Sequence, residues 1–308
     1  MAVINGDNNS NTLNGVFDAG GDVGDTIRGF GGYDTLNAYN PLTINVNWSI
    51  IDVLEGGDGN DTLRGKNGGT DKLYGGAGDD YLIPLQRYNE PDGSVLDGTN
   101  EMIGGLGNDK YFIYAGGPAY NILTELPNEG ADTIYLQREG GYALPANFEN
   151  LYLQSFNANQ DGVGNDLANA IHGNNKFNSI SGRGGNDILK GYGEVDFIDG
   201  EAGIDQIYGG LGADWSWGRT GADFFFYDSV TESPVGAGRD VIKDFNRLEG
   251  DKIDLSVIDA NLTLAGNQAF TVGSYVNGIL TGDVIGGADL QIELTGAPVL
   301  DLNLDIIL

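Results

Sequence analysis

The sequence predicts an all-β fold, a solenoid of parallel coils arranged in two blocks with a β-rich cap at the C-terminal end. Three observations predict it. Glycine supplies 52 of the 308 residues, more than twice the average usage of about 7%. A nine-residue unit recurs without a gap from Gly164 to Phe226. Each unit divides into six turn-forming residues ending in Asp or Asn and three of the form x-U-x, where U is apolar. With 40% apolar residues, the chain is long enough to bury a core.

Taken in order, residues 1–113 form a first, looser block. GFGGYDTLN begins at Gly29, GGDGNDTLR at Gly56, GGAGDDYLI at Gly75 and GGLGNDKYF at Gly104. Eighteen residues, two repeat lengths, separate Asn37 from Gly56, so register is kept. GKNGGTDKLY from Gly65 carries one extra residue, 84–94 reads as an inserted loop, and VLDGTNEMI resumes the pattern. Residues 114–163 read as a spacer. The second block, 164–226, is GNDLANAIH, GNNKFNSIS, GRGGNDILK, GYGEVDFID, GEAGIDQIY, GGLGADWSW and GRTGADFFF. Residues 227–308 read as the cap.

The unit has a physical rationale. Glycine admits the positive-φ positions of a tight turn, and the x-U-x strand points its middle side chain inwards. Two units close one coil, with turns on opposite edges and strands on opposite faces. Ile171, Ile180, Leu189, Ile198, Ile207 and Phe225 then fill the core at the eighth place, where Ser216 does not fit the pattern.

Turns on one edge recur every coil, at a strand spacing of about 4.7–4.9 Å. Two calcium–oxygen bonds of about 2.3–2.6 Å span that spacing. Calcium ions are therefore expected between successive turns, held by backbone carbonyls and sixth-place carboxylates. The carboxylates are Asp34, Asp61, Asp71, Asp80 and Asp109 in the first block and Asp187, Asp196, Asp205, Asp214 and Asp223 in the second. The turn glycines that free the carbonyls are Gly57, Gly59, Gly76, Gly78, Gly105, Gly107, Gly185, Gly193, Gly203, Gly210, Gly212 and Gly221. Asp also caps turns without a metal, but Asp side chains stacked about 5 Å apart repel one another unless a cation intervenes. Magnesium, which demands near-octahedral geometry, suits the arrangement less well. The pairs Asp187/Asp205, Asp205/Asp223 and Asp196/Asp214 should bind best, whereas the Asn169 and Asn178 end should fill later or fray. Asp205, serving two ions, should matter more than Asp109.

Composition excludes much else. The net charge is −30, with 15 basic residues against 45 acidic, which repels nucleic acid. No cysteine is present, so thiol catalysis and zinc-thiolate sites are out. The single histidine, His172, falls on an outward ninth place with no G-x-S-x-G elbow to serve. No apolar run approaches the roughly 20 residues that span a bilayer, and the start MAVINGDNNS lacks the features of a secretory signal.

The repeats resemble the RTX family of calcium-binding parallel β-rolls, whose signature is G-G-x-G-x-D-x-U-x. RDVIKDF from Arg239 and GDKIDLS from Gly250 are similar to the segment that follows the β-roll in serralysin-type metalloproteases. The terminus Asp305-Ile306-Ile307-Leu308 resembles that of type I secretion substrates. It also reads as a last buried strand. The resemblance implies a secreted protein that folds on binding several calcium ions and uses the type I secretion machinery. It does not imply proteolysis, because one histidine cannot build the H-E-x-x-H zinc helix. A non-enzymatic extracellular role is the leading expectation, with no catalytic residue assigned. The alternative is a lyase- or epimerase-type enzyme, or a carbohydrate-binding module, acting on polysaccharide or a cell-surface glycan. Phe197, Trp215 and Trp217 should share one face, seating the C-terminal cap; exposed, they would form a sugar platform.

Overall fold

The computed structural model describes residues 2–15, 25–38, 51–65, 70–84, 99–114, 121–258, 271–283, 289–296 and 298–308. Beyond Pro84, the loop expected at 84–94 lies outside them. The described residues form strands and turns and contain no helix. The fold is a parallel β-roll. It divides into two compact units, 1–138 with 145–150, and 139–144 with 151–308.

In the first unit one row of parallel strands runs Val3–Asn5, Thr26–Gly31, Ile51–Asp58, Thr70–Ala77, Asn100–Leu106 and Asn121–Thr124. The other runs Thr12–Asn14, Thr35–Asn37, Thr62–Arg64, Tyr81–Ile83, Lys110–Ile113 and Thr133–Leu136. Pleating turns every second side chain inwards. Leu36, Leu63, Leu82, Tyr111 and Ile134 thereby stack on one side and Ile27, Leu54, Leu73 and Met102 on the other, all completely buried. Asn121–Thr124 and Thr133–Leu136 belong to the segment expected to be a spacer. They add a further coil because DTIY at 132–135 keeps the inward aliphatic residue of the repeat.

In the second unit Ala170–His172, Ile188–Gly193, Gln206–Leu211, Phe224–Phe226, Lys252–Asp254 and Ile306–Ile307 pair in parallel. Opposite them run Tyr142–Ala143, Gln160–Val163, Asn178–Ser181, Phe197–Asp199, Trp215–Trp217, Asp240–Ile242 and Leu290–Leu294, also parallel. Ile279–Asp283 and Thr271–Val276 then continue antiparallel. The cap thus adds its strands edge to edge. It does not cover the aromatic face as expected: Phe197 and Trp215 remain 36% and 41% exposed. The terminal Ile306–Ile307 is a roll strand. Ser216 is buried at an eighth place, in register between Ile198 and Ile242.

The turns explain the glycines. Second and fourth places take positive φ, as at Gly57 (110°) and Gly59 (118°). The second place tolerates other residues, including Phe30, Arg183, Glu201 and Arg219. The fourth is more restrictive: at Gly203, φ is 145° and a Cβ would lie 1.5 Å from the Gly185 carbonyl oxygen one coil earlier. Gly193 departs from its expected role. It has no positive φ, a Cβ there would meet nothing nearer than 3.7 Å, and Tyr192 and Glu194 hold the left-handed places of that turn instead. Gly203→Ala should therefore destabilise the calcium-saturated protein by at least about 1–3 kcal/mol, while Gly193→Ala stays within about 0.5 kcal/mol. Thermal melts of both variants in saturating calcium check this.

Candidate metal centre

In nine of the ten turns, those of Asp34, Asp61, Asp80, Asp109, Asp187, Asp196, Asp205, Asp214 and Asp223, the Asp closes its turn by a bond to the coil before it. The Asp34 amide donates to Asp61 Oδ1 at 2.7 Å, Asp61 to Asp80 at 2.7 Å, Asp80 to Asp109 at 2.7 Å and Asp109 to Asp132 at 2.8 Å. The second unit repeats this through Asp187, Asp205, Asp223 and Asp251 on one edge, at 2.9, 3.0 and 3.1 Å. On the other edge Asp196 donates to Asp214 at 2.8 Å and Asp214 to Asp240 at 2.9 Å. Asp71 sits on the second edge of the first unit, in register with Asp52.

These bonds consume one carboxylate oxygen. The other, Oδ2, is buried without a hydrogen bond in Asp34, Asp61, Asp80, Asp109, Asp187, Asp196, Asp205, Asp214 and Asp223. It faces a cradle that only glycine leaves open. A Cβ on Gly56 would lie 2.4 Å from Asp61 Oδ2 and 2.5 Å from the Gly75 carbonyl oxygen of the next coil. Gly75 and Gly191 have the same surroundings, with Asp80 and Asp196 Oδ2 each at 2.3 Å. These first-place glycines escaped the sequence reading, which chose Gly57, Gly76, Gly105 and Gly210 at the second place and Gly59, Gly78, Gly107, Gly185, Gly203, Gly212 and Gly221 at the fourth. At all of those, a Cβ would strike a backbone oxygen one coil earlier. The available donors are carboxylate and carbonyl oxygens, the hard set that suits calcium.

Burial of these carboxylates shows in their acidities. Burial, reinforced by neighbouring carboxylates, pushes Asp80 and Asp196 up to about 8, Asp109 and Asp187 to about 7, and Asp61 and Asp205 to about 6. Burial also raises Asp214 to about 7 and Asp223 above its ordinary value.

Residues 51–82, 163–198 and 190–225 match the RTX calcium-binding nonapeptide repeat. The chain belongs to the RTX calcium-binding repeat family. Its cofactor is calcium. The RTX chain is similar to a subunit of the Azotobacter vinelandii mannuronan C5-epimerase solved in solution, at 30% identity over 47% of this chain and 80% of that one, with a TM-score of 0.21. No curated protein sequence matches it.

Several ladder members lie outside the RTX matches. Asp132, Asp240 and Asp251 continue the ladders beyond the matched residues, and on the second edge of the first unit Asp25 lies before the first match while Asp52 lies within it. Their signal is the tetrad D-x-U-x, present as DTIY, DVIK, DKID, DTIR and DVLE. Because Asp132 follows Asp109, Asp109 is interior to its ladder, just as Asp205 is; the expected difference between them has no geometric basis. Nor does the asparagine end lack support: the Asn174 amide donates to Asn178 Oδ1 at 2.7 Å, and Asn178 Nδ2 donates to the Gln160 carbonyl at 2.8 Å. His172 is structural, stacked on Tyr152 at 4.3 Å with Nδ1 2.8 Å from the Tyr192 hydroxyl.

A carboxylate whose folded-state pKa is raised above the unfolded value of about 3.9 contributes stability that is full below the unfolded value and is lost as pH rises through the folded one. In EDTA the cooperative melt present at pH 5 should therefore weaken with rising pH and be absent by pH 8, the window of the raised groups. Saturating calcium should abolish this loss by holding the carboxylates ionised. Differential scanning calorimetry at both pH values, with and without calcium, reads this directly.

Proposed function

We propose that this is a secreted calcium-binding protein with a non-enzymatic extracellular role, exported by type I secretion and folded by calcium after export. The row of buried Oδ2 atoms carries the reading. An ionised carboxylate buried with neither partner nor cation is costly, so metal-free turns do not stack at neutral pH. Extracellular calcium modules work at about 10⁻⁴–10⁻³ M, well above cytosolic calcium, which ties folding to export. The ten Asp residues chosen from the sequence would hold the ions, joined by Asp132 and Asp240. In EDTA at pH 7.5 the far-UV CD spectrum should be that of an expanded chain, turning to β-sheet as calcium is added. A full β spectrum in EDTA at this pH would overturn the proposal.

A second reading, glycan binding, is favoured by one surface. Phe197 and Trp215 stack at 5.2 Å and remain partly exposed, and the Lys243 ammonium lies 3.7 Å from the Trp215 ring centre. An aromatic platform beside a cation suits an acidic sugar. Trp215→Ala should abolish uronate-polysaccharide retention on affinity gels in calcium while leaving the CD titration unchanged.

A further inference from the structure

The last turn of the first unit differs from every repeat above it. Glu125 directly follows Thr124, the partner of Ile103, and so falls beside Gly104, in the column where Gly56 and Gly75 leave the carboxylate cradle open. Its side chain is 4% exposed. Oε1 accepts hydrogen bonds from the Gly104 amide at 3.1 Å and from the Tyr111 hydroxyl, a tyrosine in an eighth place otherwise mostly aliphatic. Oε2 is buried with no hydrogen-bond partner, as is Asp109 Oδ2. One carboxylate oxygen each of Glu125, Asp109 and Asp132 lies within 4.8 Å of the others. Oxygens bound to one calcium lie at most about twice 2.3–2.6 Å apart, so the three fit a single ion.

The second unit ends differently. There Asp305 is completed by Arg247, whose Nε lies 3.0 Å from Oδ2. One end of the repeats thus carries its own cation. At the other, the charges that weigh most on Glu125 are further carboxylates, Asp132, Asp109 and Glu129.

We propose that Glu125 converts the turn between Asp109 and Asp132 into a three-carboxylate calcium site, tighter than the two-carboxylate sites of the repeats. This rests on the calcium reading above and adds a ligand that the nonapeptide does not supply. The extra charge raises affinity. The ion also fastens the coil at 121–136, which keeps the fourth-place Gly130 but has Glu125 where the first-place glycine stands, to the end of the first roll.

Calcium titration of the full chain against a chromophoric chelator tests it. The wild type should show one ion bound more tightly than the rest. Glu125→Gln should weaken that ion by about tenfold or more and leave the others in place, whereas Asp205→Asn should weaken the two ions beside it in the second unit and spare the tight one. A Glu125→Gln isotherm identical to the wild type overturns this site while the calcium reading stands; a wild type that binds no calcium overturns both. If Glu125→Gln does not fold in saturating calcium, Glu125→Asp keeps the charge but withdraws it by one methylene. It should weaken the tight ion alone, and an unchanged tight phase overturns the proposal.

Discussion

The structure depends on a buried carboxylate with only half its hydrogen bonding satisfied. Asp34, Asp61, Asp80, Asp109, Asp187, Asp196, Asp205, Asp214 and Asp223 each take a backbone N–H of the preceding coil on Oδ1, which sets the coil spacing and aligns the turns. Their Oδ2 atoms are buried without a hydrogen bond. Parallel strands alone do not make the arrangement favourable, because successive carboxylates on an edge repel and desolvation disfavours the charged form of each. Either a proton or a cation must complete the turn. At neutral pH and outside the cell, calcium is the completion that the oxygen-only donor set favours.

The chain completes its turns in three ways, and the comparison explains where metal is needed. At 165–178 asparagine replaces aspartate, and its amide supplies both donor and acceptor from within the protein. At Asp305 a guanidinium stands in for the ion. Through the repeats, where Asp follows Asp along an edge, no cation among the described residues bonds to the buried Oδ2 atoms. The asparagine turns thus have hydrogen bonds of their own where the aspartate turns leave an oxygen open, a source of order at the asparagine end that charge alone does not capture.

The repeat and its inward eighth place were legible because both follow from strict periodicity. The limits of the rolls were less so, because glycine was taken as the mark of a turn. Phe30, Tyr192, Glu194 and Arg219 all adopt positive φ without being glycine, and the coil at 121–136 has lost most of the consensus. The tetrad D-x-U-x survives where the glycines do not, since it encodes the two features every coil needs, a ladder carboxylate and an inward apolar residue. DTIY, DVIK and DKID show it in segments otherwise unlike the repeat, and DIIL at the terminus shows it again. Glu125 could not be found this way. It joins the ladder through a two-coil register that depends on inserted residues, which spacing alone does not fix.

The division of labour within a coil then follows. First, fourth and sixth places are committed: the first to leaving the cradle open, the fourth to passing a carbonyl column, the sixth to the ladder. The eighth is committed to the core. Seventh and ninth places alone point outwards from the strands, and there the aromatics gather, as Phe197 with Trp215 on one sheet and Tyr208 with Phe226, 4.5 Å apart, on the other. Calcium binding leaves those faces free of constraint, because no ladder bond or cradle involves them. Among the described residues, the seventh- and ninth-place side chains are therefore the ones that can vary without disturbing the ladder, the cradle or the core.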